Sequence, residues 1–175
     1  IVGDFAHHHL AELVALALGG VDLVDLDVEE LEGALEVVEQ RGPQVDPPDL
    51  WLVGGVDPTG GAGLTRDRIT AQICAPGRII HEVVTADTQQ GHGAPATATA
   101  RPAVEVVSEL GCTAIDVVKV GLVPKSLTDE LHGSLAKAAA VVVDPVLRAS
   151  DGGDIGGRVA GYRKLSSVAT LVTPN

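Results

Sequence analysis

Aromatic side chains are almost missing. The 175 residues hold one Trp, one Tyr and one Phe, 2% of the chain, and no Met at all. With so few rings, a core has to be built from the Val, Leu and Ala that dominate the 45% hydrophobic content, in elements that approach closely. Long apolar runs are missing too: Asp or Glu interrupts each one before the roughly 18–20 residues of a membrane span, and no signal peptide is visible. Cysteine is limited to Cys74 and Cys112, which lack a metal-type spacing and read as reduced, buried thiols of a cytoplasmic protein. Basic residues are scarce, 12 against 24 acidic, for a net charge of −12. That balance argues against nucleic-acid or anionic-membrane partners. A nucleotide could still bind locally, through backbone amides and a divalent cation.

What is present is unevenly spread. Residues 1–49 hold 12 acidic residues against Arg41 alone, a net of −11, which leaves −1 for residues 50–175. The stretch "RGPQVDPPDL" marks a linker at this break. Ahead of it, two amphipathic helices are expected at 5–18 and 28–40, an acidic appendage. His7, His8 and His9 are consecutive and so point in different directions on a helix; they read as a solvated helix start rather than a metal site. The chain opens at Ile1 and stops at Asn175, just past the apolar "ATLV", and it reads as a piece of a longer protein.

From residue 50 the rhythm changes. Short Val/Ile-rich runs at 50–54, 79–84, 115–121, 140–143 and 169–172 alternate with helix-competent stretches at about 63–74, 102–110, 126–139 and 156–166. Pro102 suits a first helical position and Ser126 a cap. Such alternation predicts an α/β fold with a mostly parallel sheet buried on both faces, and no internal repeat is evident. Ligands of these folds bind beyond the carboxyl ends of the strands. That singles out "GGVDPTGGAG", "TADTQQGHG", "KVGLVPKS", "DPVLRASDGG" and "TPN".

The first of these, residues 54–63, has five glycines in ten positions. It is not a Walker loop, because Leu64 and Thr65 follow Gly63 where Lys and a hydroxyl residue are needed. Nor is it a dinucleotide fingerprint, since Arg66 stands at the third glycine position. What remains is a strand, a turn that Asp57 can cap, and a helix entry that lets a flat ligand approach the backbone. Asp67, one helical turn on, can aim its carboxylate back at such a ligand. Taken alone, the stretch fits a ligand-free tight connection equally well.

In company, the five segments resemble the hydroxymethylpyrimidine and phosphomethylpyrimidine kinases of thiamine synthesis, members of the ribokinase-like superfamily. "GGVDPTGGAG" is similar to that family's Gly-Gly-Ser-Asp-Pro-Ser-Gly-Gly-Ala-Gly stretch, with Val56 replacing a serine, and "TADTQQG", "KVGL", "VVDPVL" and "LVTPN" follow in register. The resemblance covers residues 50–175 and implies a three-layer ribokinase-like fold carrying only its N-terminal, substrate-binding part. It implies ATP and Mg²⁺ as cofactors, a small pyrimidine as substrate, and a homodimer. Gly55, Gly60, Gly61 and Gly63, with Asp57, would form the pocket wall, and Asp67 would hydrogen-bond the pyrimidine. Asp87 stands where the family has a glutamine, so it can only accept hydrogen bonds where an amide also donates. Val120, Leu122 and Val146 would pack on the ring, Asp144 would hold Mg²⁺ through water, and Asn175 would lie near the nucleotide phosphates. Asp144 also fits a turn cap and Asp67 a solvated helix residue. Lys119 reads as a strand-end lysine reaching for solvent. The family's catalytic base lies in a Gly-Thr-Gly-type segment, and no such segment occurs in the 175 residues. The implied activity is phosphorylation of hydroxymethylpyrimidine or its monophosphate, with little turnover from this chain alone. A non-catalytic pyrimidine-binding module and a pyridoxal-type kinase are the alternatives.

Overall fold

The computed structural model describes residues 48–89, 95–111, 115–149 and 152–173. The expected helices at 5–18 and 28–40, the three histidines, Cys112 and Asn175 lie outside the described residues. Strand β1 (Leu50–Val56) leads through the glycine stretch into helix α1 (Gly63–Cys74), then β2 (Ile80–Gln89) and β3 (Thr97–Ala100). Helix α2 (Ala103–Leu110), β4 (Val117–Val120), a 3₁₀ turn at Lys125–Leu127 and α3 (Thr128–Leu135) follow. Then come β5 (Ala140–Val143), α4 (Val159–Ser166) and the short β6 (Leu171–Val172).

The six strands form one sheet in the order β3-β2-β1-β4-β5-β6. All pairs are parallel except β2–β3. The chain steps from β1 to β2 on one side, then returns past β1 to β4 and continues outward. Right-handed crossovers made in opposite directions put their helices on opposite faces. Helix α1 therefore covers one face, where Leu64 and Ala71 pack on Leu50, Leu52, Val117 and Val142. On the other face, α2, α3 and α4 bring Val106, Leu110, Leu131, Leu135 and Leu165 against Val53, Val118, Val120, Val141 and Val143. The result is three layers around an aliphatic core, with each fully buried Leu or Val worth about 1.5–3 kcal/mol.

Several boundaries differ from expectation for local reasons. The helix expected to run to residue 139 stops at Leu135, because the amides of Ala139 and Ala140 are taken by the carbonyls of Ile115 and Asp116 beside β4. Ser126 lies in the 3₁₀ turn and makes no cap, and Pro102 precedes α2 rather than opening it. Helix α4 starts late, after Gly156 at φ +89°, where Asp154 accepts the Gly156 amide and pairs with Arg158. The Arg158 hydrogen bonds, with that amide, hold the Asp154 carboxyl down at about 2. Strand β3, "TATA", has no Val/Ile run to announce it, and it extends β2 to Gln89 by antiparallel pairing. Cys74 is half-buried at the end of α1 rather than fully enclosed.

Candidate active site

Strand order reverses between β1 and β4, so the crevice of this sheet opens beyond the carboxyl ends of those two strands. At that end of β1 the chain must turn sharply into α1. Asp57 makes the turn: its carboxylate accepts the Thr59 amide at 3.0 Å and the Thr59 hydroxyl at 2.7 Å, and the Gly60 amide closes on the Asp57 carbonyl. The turn cap is as the sequence suggests. Both oxygens are engaged within the loop and the residue is 4% exposed, so the Asp57 carboxylate shapes the turn.

The loop then folds back onto its own strand, and Val56 and Gly63 form an isolated bridge. Gly63 has φ +62°, and a Cβ there would collide with the Gly55 carbonyl oxygen. Gly60 also takes a positive φ, and Gly61 lies beside Thr59 and Asp57 in the same turn. Gly55 is enclosed for a different reason: a Cβ would stand 2.8 Å from Leu122 Cδ2 and 3.3 Å from Thr88 Cγ2. Leu122 fills that space and joins Ala86, Ala96 and Ile155 in a small apolar cluster, with Val146 packed beside it.

Across the crevice lies a buried ion cluster. Lys119 sits in β4, paired in register with Leu52 and Val142, so its side chain stands on the face that α1 covers. Its ammonium donates to Asp67 Oδ2 at 2.7 Å and lies 3.3 Å from Asp144 Oδ2. The side chains of Lys119, Asp67 and Asp144 are 6%, 15% and 19% exposed. Lys119 is thus a buried bridge between two carboxylates, not a lysine reaching for solvent. A flexible stem would carry an isolated ammonium to water; here two carboxylates hold it inside. Two anions against one cation leave the cluster with one surplus negative charge. Burial pushes the Asp67 carboxyl above its ordinary value of 3.8, Lys119 pulls it back, and Asp144 adds to the rise.

One hydroxyl ties the surrounding loops together. Tyr162 of α4 accepts the Val123 amide at 3.0 Å, and its oxygen lies 2.9 Å from the Gly121 carbonyl and 3.2 Å from that of Val146. Burial raises the Tyr162 hydroxyl, which stays protonated as a donor. Thr85 adds a further tie by donating to the Leu122 carbonyl. Neither residue stands out in the sequence, although Tyr162 is the chain's one tyrosine.

The structure thus brings Asp67 to Asp144 through Lys119, and Gly55 to Leu122 and Val146. Val120 is a correction: it is fully buried in the main core between β4 and helices α2–α4, so its side chain offers no surface to a ring. Asp87 is exposed on β2, paired with Val56 across a bulge that shifts the register between Gly54 and Gly55. Residues paired in register share a face. Val56 packs on the α1 side, so Asp87 projects on the same side of the sheet as Asp67.

A sequence model of phosphomethylpyrimidine kinase matches residues 57–175, more than half of the chain. The chain belongs to the phosphomethylpyrimidine kinase family. Among its relatives, the thiamine biosynthesis multifunctional protein ThiED of Corynebacterium efficiens is 29% identical over 190 residues, which takes in 99% of this chain and 25% of that protein. Two solved structures share the fold. The pyridoxal kinase of Bacillus subtilis, an ADP complex, superposes with a TM-score of 0.61 at 19% identity, over 74% of this chain and 51% of that one. The phosphomethylpyrimidine kinase of Clostridium difficile 630 superposes with a TM-score of 0.58 at 24% identity, over 74% of this chain and 59% of that one. The chain therefore spans a quarter of the length of the curated relative and 51–59% of these two kinases.

Proposed function

We propose that residues 50–175 form the pyrimidine-binding part of a ribokinase-like kinase domain. Its reaction is transfer of a phosphoryl group from ATP to hydroxymethylpyrimidine or its monophosphate in thiamine biosynthesis. The observation that carries this reading is the Asp67–Lys119–Asp144 cluster, set at the switch point of a chain that belongs to this family. The glycine loop gives a flat ring room against the backbone, Asp67 and Asp87 offer acceptors on one side, and Leu122 and Val146 give apolar contact. An acceptor carboxylate orients the amino groups of a pyrimidine. Phosphoryl transfer depends mainly on such positioning and on neutralising developing charge.

Bound ATP supplies the phosphoryl group, and Mg²⁺ offsets its negative charge. The donor set fits an ion held through water. Asp144 is a half-buried carboxylate in a cluster with surplus negative charge, and Mg²⁺ bound with a nucleotide needs only one or two carboxylates. Among the described residues, no group of three or more His, Cys, Asp or Glu side chains forms a cage of its own. Asn175 is the proposed contact to the nucleotide phosphates. In this reading the protein is cytoplasmic and dimeric, and residues 1–49 form an acidic appendage.

Calorimetry of the 175-residue chain with hydroxymethylpyrimidine tests the binding claim, and heat no larger than dilution overturns it. A coupled assay with ATP tests the other part: turnover is expected at the buffer level, and activity well above it overturns the view that the catalytic base is supplied elsewhere. Asp87 supports a second reading, a pyridoxal-type kinase, because it replaces a glutamine that would both donate and accept. Tighter binding of pyridoxal than of hydroxymethylpyrimidine would favour it. Binding of hydroxymethylpyrimidine by a longer form of the protein that never turns ATP over would favour a non-catalytic module.

A further inference from the structure

The Lys119 ammonium has three donors and two acidic neighbours on different elements, Asp67 on α1 and Asp144 just past β5. Its distances are unequal, 2.7 Å to Asp67 and 3.3 Å to Asp144. What the two carboxylates share is one positive charge rather than a shortage of donors, and the stem cannot swing away from either. It rises from the centre of the sheet between Leu52 and Val142, both fully buried, and the residue is 5% exposed. In so dry a place charges interact strongly. Any change in what Asp144 takes from the ammonium must therefore alter what remains for Asp67.

We propose that Lys119 is a positioning residue that links the two carboxylates, so that the charge at Asp144 sets how firmly Asp67 holds a pyrimidine. The proposal rests on the functional reading above for the identity of the ligand, and on geometry alone for the link itself. It makes the ring pocket sensitive to events at the neighbouring strand end without any movement of backbone. Loss of the Asp144 charge lets the ammonium pair fully with Asp67, which then competes less well as a free acceptor for ring donors.

The test uses the 175-residue chain at one fixed pH, with Asp144→Asn, Lys119→Met, the double variant and Lys119→Arg. The Asp67 carboxyl carbon is followed by NMR, and hydroxymethylpyrimidine binding by calorimetry. Asp144→Asn is expected to move the Asp67 signal and to weaken binding by about fivefold or more, the lower end of ordinary site-to-site coupling. In the Lys119→Met background only the direct repulsion between the two carboxylates is left, so the same substitution should no longer weaken binding, and Lys119→Arg should restore the weakening in part. An equal response in both backgrounds overturns the proposal, because the effect would not pass through Lys119. An unmoved Asp67 signal in the Asp144→Asn variant also overturns it, and if Lys119→Met does not fold the sign of the binding change in that variant decides: relief of direct repulsion would strengthen binding, whereas the route through Lys119 weakens it. If the chain binds no pyrimidine while the NMR link is present, the functional reading falls and the Lys119 link stands.

Discussion

Gly63 carries two constraints at once, a left-handed backbone and a close approach to the Gly55 carbonyl. Gly63→Ala is therefore expected to cost about 1–3 kcal/mol or more, read as a lowered urea midpoint with an unchanged slope. Gly55→Ala keeps an ordinary backbone and meets the side-chain tips of Leu122 and Thr88 most closely rather than a backbone carbonyl, so its loss of stability should be smaller. Lys119→Met leaves two buried carboxylates facing each other, and loss of about 3–5 kcal/mol is expected in equilibrium unfolding. Asp67 gives a pH signature with a definite sign. Its native carboxyl titrates above the ordinary 3.8, so its protonated form favours the fold. That contribution is complete below 3.8 and is lost as pH rises through the raised native value. Asp67→Asn removes this titration, so wild type should lose stability relative to the variant between pH 3.8 and neutrality. A difference that stays flat over that window would contradict the assignment.

At the scale of elements, the rim is a set of loops fastened to α4 by one phenol. Tyr162→Phe removes the acceptor of the Val123 amide and a donor to Gly121 or Val146. A buried amide left without a partner costs about 1–3 kcal/mol. The variant should unfold earlier and show faster amide exchange at 121–123 than at Val141–Val143. The legibility of these parts follows their physics. Strands β1, β4 and β5 and helix α1 are visible in the sequence because burial on both faces demands continuous Val/Ile runs between helical periods. Strand β3 is invisible because an edge strand of alternating Thr and Ala needs no apolar run, only a partner. Strand β6 shrinks to two residues because the Thr170 hydroxyl, rather than backbone, accepts the Val141 amide. At the site, Asp67 and Asp144 are legible as carboxylates beside strand ends. Lys119 is not, because its burial depends on which strands flank β4, and strand order is not written in any local pattern.

For the whole molecule, the sheet order makes a stability gradient. Among the described residues, β1 and β4 are paired on both sides and covered on both faces, whereas β3 is four residues at one edge and β6 two residues at the other. Hydrogen exchange should be slowest in β1 and β4, intermediate in β5, and fastest in β3 and β6. Protection in β6 equal to that in β4 would contradict the gradient. The same layout separates two ends of the sheet that differ in chemistry. Trp51 stacks on His81 with ring centroids 4.2 Å apart, near the amino ends of β1 and β2, and the His81 ring meets Asp49. Four residue steps of extended chain, about 13 Å at strand rise, separate Trp51 from Gly55 at the rim. The chain's one tryptophan is thus a built-in fluorophore at the quiet end of the sheet. Its emission should follow melting of the central strands while staying unchanged as a pyrimidine fills the opposite end, so unfolding can be recorded optically in the presence of ligand without a label or a correction for binding.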